Sequence, residues 1–170
     1  MGEYTHIIHS FEPVYNENSR VLILGSLPSV KSREDGFYYG HPRNRFWKVA
    51  AAVTGRPTPV TTDEKKAFLL DSHIAVWDVI AECDIIGSSD ASIKNVRAAD
   101  ISMITALCPD IAVFTNGGTA SALYDKHMLP KTNRPAVRLP STSPANAAWS
   151  AERLTEEWKN ALLPFLFPDT

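Results

Sequence analysis

Cysteine is nearly absent from this chain of 170 residues: Cys83 and Cys108 are its only two, and no CxxC spacing joins them. A structural zinc site or an iron–sulfur cluster needs closely spaced thiolates, so no metal and no cofactor is expected, and both residues read as reduced, buried thiols. Long apolar runs are missing too. None approaches the roughly 18 residues of a membrane span, and the start, Met1-Gly2-Glu3-Tyr4-Thr5-His6, lacks the basic and then apolar stretch of an export signal. A cytoplasmic protein with no membrane contact is expected. Neither sign of charge dominates: 17 Lys and Arg against 19 Asp and Glu leave a formal charge of −2, so any hold on nucleic acid must come from local patches. GxGxxG and GxxxxGK are both absent, which removes the commonest dinucleotide and nucleoside triphosphate cradles. With no internal repeat or low-complexity tract, residues 1–170 fit one domain with a single substantial core, working as a monomer.

What is present is an alternation of buried-strand runs and helical patterns. Val21-Leu22-Ile23-Leu24 reads as a first strand, and Phe46, Trp47, Ala50 and Val53 then recur at helical spacing. Thr61 to Asp63 can cap a helix over 64–71, followed by a second strand at His73 to Trp77. The stretch 93–107 reads as one helix or two short ones ended by Pro109. Asp110 to Thr115 is a third strand, Gly117-Gly118 turns the chain, and 119–126 is helical. Ala136 to Leu139 makes a fourth strand, poorer in apolar residues and suited to an edge, and 148–165 closes as an amphipathic helix. Parallel strands with helices between them predict an α/β fold, a three-layer α/β/α sandwich around a four-stranded parallel sheet.

Each strand ends in polar or glycine-rich residues: Gly25-Ser26-Leu27-Pro28-Ser29, Trp77-Asp78, Asn116-Gly117-Gly118, and Pro140-Ser141-Thr142-Ser143-Pro144-Ala145-Asn146. In a parallel sheet these loops lie side by side at the end where ligands bind, so they predict one polar-lined cleft. The segment Tyr39-Gly40-His41-Pro42-Arg43-Asn44-Arg45-Phe46-Trp47 adds aromatic, amide and guanidinium groups. Together these can stack on a planar group, orient a water and grip phosphate, which are the needs of chemistry on a nucleobase.

The string His-Pro-Arg-Asn-Arg-Phe-Trp-Lys at 41–48, with Ser-Thr-Ser-Pro-Ala-Asn at 141–146, resembles the uracil-DNA glycosylase superfamily. Within it the chain is most similar to the hypoxanthine-DNA glycosylase (DNA-deoxyinosine glycosylase) branch, with the mismatch-specific uracil-DNA glycosylases next. The resemblance implies metal-free hydrolysis of the base–sugar bond of a flipped, deaminated nucleotide, and DNA containing deaminated bases as partner. It assigns Asn44 as the catalytic residue and Tyr39 as the base-stacking aromatic. It also places Pro144 of the last Ser-Pro and the residues after it, Ala145 and Asn146, against the duplex. Two departures stand out. Leu27 occupies the place of a catalytic Asn or Asp and can neither orient water nor stabilise positive charge, and Ser141 stands where several branches carry a His or Asn.

The residues themselves leave alternatives open. Gly25, Ser26, Ser141 and Ser143, with the backbone N–H groups near them, can donate to acceptors of a base. Asp78 can accept a ring N–H, or equally cap a helix beginning at Val79. Asn44 can hold a water or cap the helix after it, and His41 suits a structural hydrogen bond better than a general base. Of Tyr38 and Tyr39, one is expected merely to pack the loop. Arg43, Arg45 and Lys48 form one basic patch and Lys131, Arg134 and Arg138 another; both are expected to flank the cleft and contact phosphates, with a solvated surface as the bland alternative. Apart from Lys48 at the end of the first string, no lysine stands in either motif to form a Schiff base, so strand cleavage is not expected. A mismatch-type uracil glycosylase and a non-catalytic damaged-DNA or nucleotide-binding module are the competing readings.

Overall fold

The computed structural model describes residues 2–167. In chain order its first half comprises β1 (Thr5–Ile8), β2 (Val21–Gly25), α1 (Val30–Asp35), α2 (Phe46–Thr54), α3 (Thr62–Asp71), β3 (Ile74–Asp78) and β4 (Ile80–Ile85). The second half adds β5 (Lys94–Ala98), α4 (Ser102–Leu107), β6 (Ala112–Asn116), α5 (Gly118–His127), α6 (Leu129–Thr132), β7 (Val137–Leu139) and α7 (Ala151–Leu166). Four strands form the expected parallel sheet in the order β3-β2-β6-β7, with the apolar-poor β7 at an edge.

Alternation along β2 assigns the two faces. Val21 and Ile23 join Phe46, Val49, Phe68, Leu154, Trp158 and Leu162, so α2, α3 and α7 cover one side. Leu22 and Leu24 join Ile104, Val113, Tyr124 and Met128, so α4, α5 and α6 cover the other. Every residue of β2 is buried, which explains why a strand between two neighbours reads as an unbroken apolar run. Ser150 caps α7, which therefore begins at Ala151, and Thr61 caps α3 through the Glu64 amide.

One region departs from expectation. The stretch 93–107 contains β5 before the short α4, and β5 belongs to a three-stranded antiparallel sheet ordered β1-β4-β5. Lys94 to Ala98 is largely exposed and Asn95 has φ 55°, so this strand carries no apolar signature and exists because β4 offers it a ladder. The helix that a capping Asp78 would begin is absent as well: Val79 donates to the Gly25 carbonyl and Ile80 to that of Ser26, and the chain runs on as β4. The helix-cap role for Asp78 falls with it. Helix α1 was also not expected; Ser29 caps it and Gly36, at φ 70°, ends it. Cys83 and Cys108 are free and buried, and burial pushes both thiols up from their ordinary pKa.

Candidate active site

The carboxyl ends of β2, β3, β6 and β7 open onto a cleft of about 840 Å³, lined by groups from both motif segments. Gly25, Ser26, Leu27, Tyr39, Asn44, Asp78, Ser141, Ser143, Pro144, Ala145 and Asn146 all lie on it, as does Arg138 at its rim.

Asp78 ends β3 and is 4% exposed. Its Oδ2 lies 2.8 Å from His9 Nε2, and both side chains are almost fully buried. Its Oδ1 faces Gly25, where a Cβ would collide with it, so only glycine leaves room for the carboxylate at this wall. Tyr39 lies alongside. Its ring stacks on Phe46 with centroids 4.0 Å apart, its carbonyl accepts from Trp47 Nε1, and its backbone sits in the left-handed region at φ 51°. Such a conformation costs a non-glycine residue about 1 kcal/mol or more and is held by the packing around it. The Tyr39 hydroxyl is buried without a properly formed hydrogen bond among the described residues. Burial, and then the Asp78 charge, push its pKa far above the ordinary phenol value, against a smaller opposing pull from the Asn116 amide. Tyr38 is the loop-packing member of the pair. It is 2% exposed, donates to the Glu12 carbonyl and packs edge-on against Phe11 and Phe37.

Asn44 is held by a chain of hydrogen bonds. Its Oδ1 accepts from the Phe46 amide at 2.9 Å and from Thr142 Oγ1 at 2.8 Å. Thr142, fully buried, accepts from Asn116 Nδ2 at 3.0 Å, and its own amide donates to Asn116 Oδ1 at 3.1 Å. Backbone N–H groups can only donate, so both amide orientations are set. Asn44 stands one residue before Arg45, the N-cap of α2, and its bond from Phe46 closes a turn there; with Oδ1 taken twice, the Nδ2 donors are what Asn44 has left for the cleft it lines.

Around the rim several groups are less available than expected. Arg45 turns inward and donates to the carbonyls of Trp149, Ser143 and Asn146, so it staples the last motif rather than offering a free guanidinium to DNA. Asn146 folds back, its Nδ2 donating to the Ser141 carbonyl, while exposed Pro144 and Ala145 form the outer edge. Ser141 Oγ accepts from the Ser143 amide and Ser143 Oγ from that of Ala145, which shapes the loop and leaves both hydroxyl protons to donate. Arg134 is tied to the carbonyls of Ile111 and Pro109, at the opposite end of β6, and neither it nor Lys131 reaches the cleft. Arg43 and Arg138 are exposed; Arg138 lines the cleft, packed over Gly118, whereas Arg43 is not among its lining residues. His41 Nδ1 accepts from the Arg43 amide, the structural role expected of it. Leu27 lines the cleft while packing against the Ile80, Cys83 and Ile85 cluster.

Three residues escaped sequence reasoning. Asn116 was visible only as a polar strand end, and Thr142 hid inside a Ser-Thr-Ser-Pro string whose serines draw attention. His9 gave no signal at all, since 69 residues separate it from Asp78. No group of three or more His, Cys, Asp or Glu among the described residues could hold a metal ion.

With this geometry in view, comparisons with known proteins are informative. A sequence model of the Uracil DNA glycosylase superfamily matches residues 12–166. A Methanosarcina acetivorans protein named hypoxanthine DNA glycosylase is 32% identical over 154 residues, which is 90% of this chain and 96% of that protein. A protein of the same name from Methanosarcina barkeri is 31% identical over 116 residues, 68% of this chain and 73% of its own. A solution NMR structure of a candidate uracil DNA glycosylase from Methanosarcina acetivorans superposes with a TM-score of 0.75 at 32% identity, covering 89% of this chain and 93% of that one.

Proposed function

This chain belongs to the uracil DNA glycosylase superfamily, and from that premise we propose that it hydrolyses the N-glycosidic bond of hypoxanthine in DNA, as a monofunctional DNA-deoxyinosine glycosylase of base excision repair. The observation that carries this reading is a buried carboxylate, Asp78, on the same cleft as the oriented Asn44 amide. Hypoxanthine differs from adenine at its Watson–Crick edge by carrying a donor, N1–H, where adenine carries a lone pair. An acceptor-only group at the cleft wall suits the first and repels the second. The named relatives favour hypoxanthine over uracil, whose N3–H the same carboxylate can accept.

Departure of the base leaves an oxocarbenium-like sugar and an electron-rich leaving group. The enzyme gains most by placing a water beneath the sugar and donors around the base. Asn44 presents Nδ2, because both lone-pair directions of its Oδ1 are taken. It anchors a water through one lone pair and leaves the other free for attack, or donates to the departing base. Ser141 and Ser143 hydroxyls and the Ser26 segment supply further donors, Tyr39 offers its ring, and Arg43, Arg138, Pro144 and Ala145 meet the duplex. No lysine is among the described residues lining the cleft, in keeping with hydrolysis rather than Schiff-base chemistry. The described residues include no helix long and apolar enough to cross a membrane; a single-domain monomer in the cytoplasm is the working form we propose. Purified protein incubated with duplexes containing hypoxanthine, uracil or xanthine should release free hypoxanthine fastest. Binding without release of any base would make the chain a recognition module instead.

A further inference from the structure

The strand β1 is not part of the central sheet, yet it delivers a side chain into the cleft wall. Its pairing with β4 places Ile8 opposite Glu82, and the next amide, that of His9, continues the ladder to the Ala81 carbonyl at 2.8 Å. This brings the His9 ring against Phe11 and Tyr38, with centroids 4.5 and 6.1 Å away, and its Nε2 to Asp78 Oδ2. Among the described residues no other donor reaches the Asp78 carboxylate. A carboxylate on its own turns freely about its last bond and exposes either oxygen. Here one oxygen is taken by a buried imidazole and the other is left over Gly25 at the cleft.

We propose that His9 is a positioning residue for base recognition: by donating from Nε2 to Asp78 Oδ2 it holds Asp78 with Oδ1 directed at the ring N–H of the extruded base. The proposal rests on the reading of Asp78 as the group that accepts that N–H. It requires the neutral or protonated ring to carry hydrogen on Nε2, since two acceptors cannot face each other at this distance. His9 itself touches neither the base nor the sugar. Its contribution is to remove the rotational freedom of the acceptor and to keep a buried carboxylate from standing unpaired.

Single-turnover release of hypoxanthine from an inosine-containing duplex, with enzyme in excess, tests this in wild type, His9→Leu, His9→Gln, Asp78→Ala and the double variant His9→Leu/Asp78→Ala. His9→Leu should slow release by roughly 10- to 100-fold, the worth of one charge-assisted hydrogen bond, with affinity for an undamaged duplex unchanged. His9→Gln, whose amide nitrogen can occupy the place of Nε2, should stay within about threefold of wild type by the same reasoning. In the Asp78→Ala background the His9→Leu change should cost almost nothing more, because there is no acceptor left to position. An equal loss from His9→Leu in both backgrounds, a His9→Gln protein as slow as His9→Leu, or a His9→Leu protein at the wild-type rate would each overturn the assignment. If wild type itself released no hypoxanthine, the proposed activity would fall first, and this role with it.

Discussion

At Asn44 a single amide both closes the turn that leads into α2 and carries the chemistry we propose, and the hydrogen bonds of its oxygen make the two compatible. The bonds from Phe46 and from Thr142 occupy Oδ1, so the proposed chemistry falls to Nδ2. Asn44→Asp keeps the acceptor for both bonds but removes the Nδ2 donors. Both Asn44→Ala and Asn44→Asp should therefore lose most single-turnover excision while binding undamaged duplex normally; an Asp variant at the wild-type rate would shift the role from donor to acceptor. Thr142 can be separated from Asn44 by a change of one group. Thr142→Val removes, at a fully buried residue, the hydroxyl that Asn116 Nδ2 donates to and that donates to Asn44 Oδ1. It should cost about 1–3 kcal/mol in denaturant unfolding and lower the excision rate, whereas Thr142→Ser should retain most of both.

Among the elements, the two sheets differ in how they are held. The parallel sheet is covered on both faces by large apolar clusters, while the β1-β4-β5 sheet rests on the small set Ile80, Cys83 and Ile85, with Ile7, Leu27, Ile93 and Val96 around it. Local opening follows the burial that must be lost. Hydrogen exchange should thus proceed faster in β1 and β5 than in β2 and β6, and ligand occupying the cleft should slow exchange at the His9 amide more than at Thr5 or His6. Uniform protection across both sheets would mean that β1 is as firmly held as the core.

Over the whole molecule, charge and proton binding make two further expectations. Net charge is −2, and of the basic groups foreseen around the cleft Arg45 and Arg134 are spent on backbone carbonyls. Duplex affinity should consequently fall with salt at a shallow slope, roughly 0.9 per phosphate contact, and Arg43→Ala or Arg138→Ala should weaken matched and inosine-containing duplexes alike. Arg134→Ala should leave affinity unchanged and lower stability. The second expectation concerns alkali. Burial, with the Asp78 charge next, raises the folded pKa of both Tyr38 and Tyr39 above the ordinary phenol value of 10.0. Above that pH the unfolded chain releases protons that the folded tyrosines keep, so their contribution to stability is full below about pH 10 and is lost as pH rises through the alkaline range. Tyr39→Phe removes one such contribution and a hydroxyl that lacks a properly formed hydrogen bond among the described residues. Urea midpoints should be unchanged or higher at pH 7 and should fall less steeply above pH 10 than in wild type.

The sequence by itself determined the sheet, its parallel sense and the end at which a ligand would bind. Val21 to Leu24, ending in Gly25, reads as a strand buried on both faces, and the caps, glycines and apolar spacings around it carry local physics that tertiary structure did not override. It also brought Asn44, Tyr39, Asp78 and the 141–146 string to one cleft, because strands in parallel must end together. Only the tertiary structure decided what those groups are free to do. That Arg45 faces carbonyls, that Asn44 shows its nitrogen, and that Asp78 is paired with His9 all depend on contacts between segments distant in the chain. The small sheet belongs to the same class: Lys94 to Ala98 has no pattern of its own, and its strand is written in the ladder of β4. Local periodicity reports which face of an element is buried, whereas the partner of a polar side chain is a property of the assembled fold.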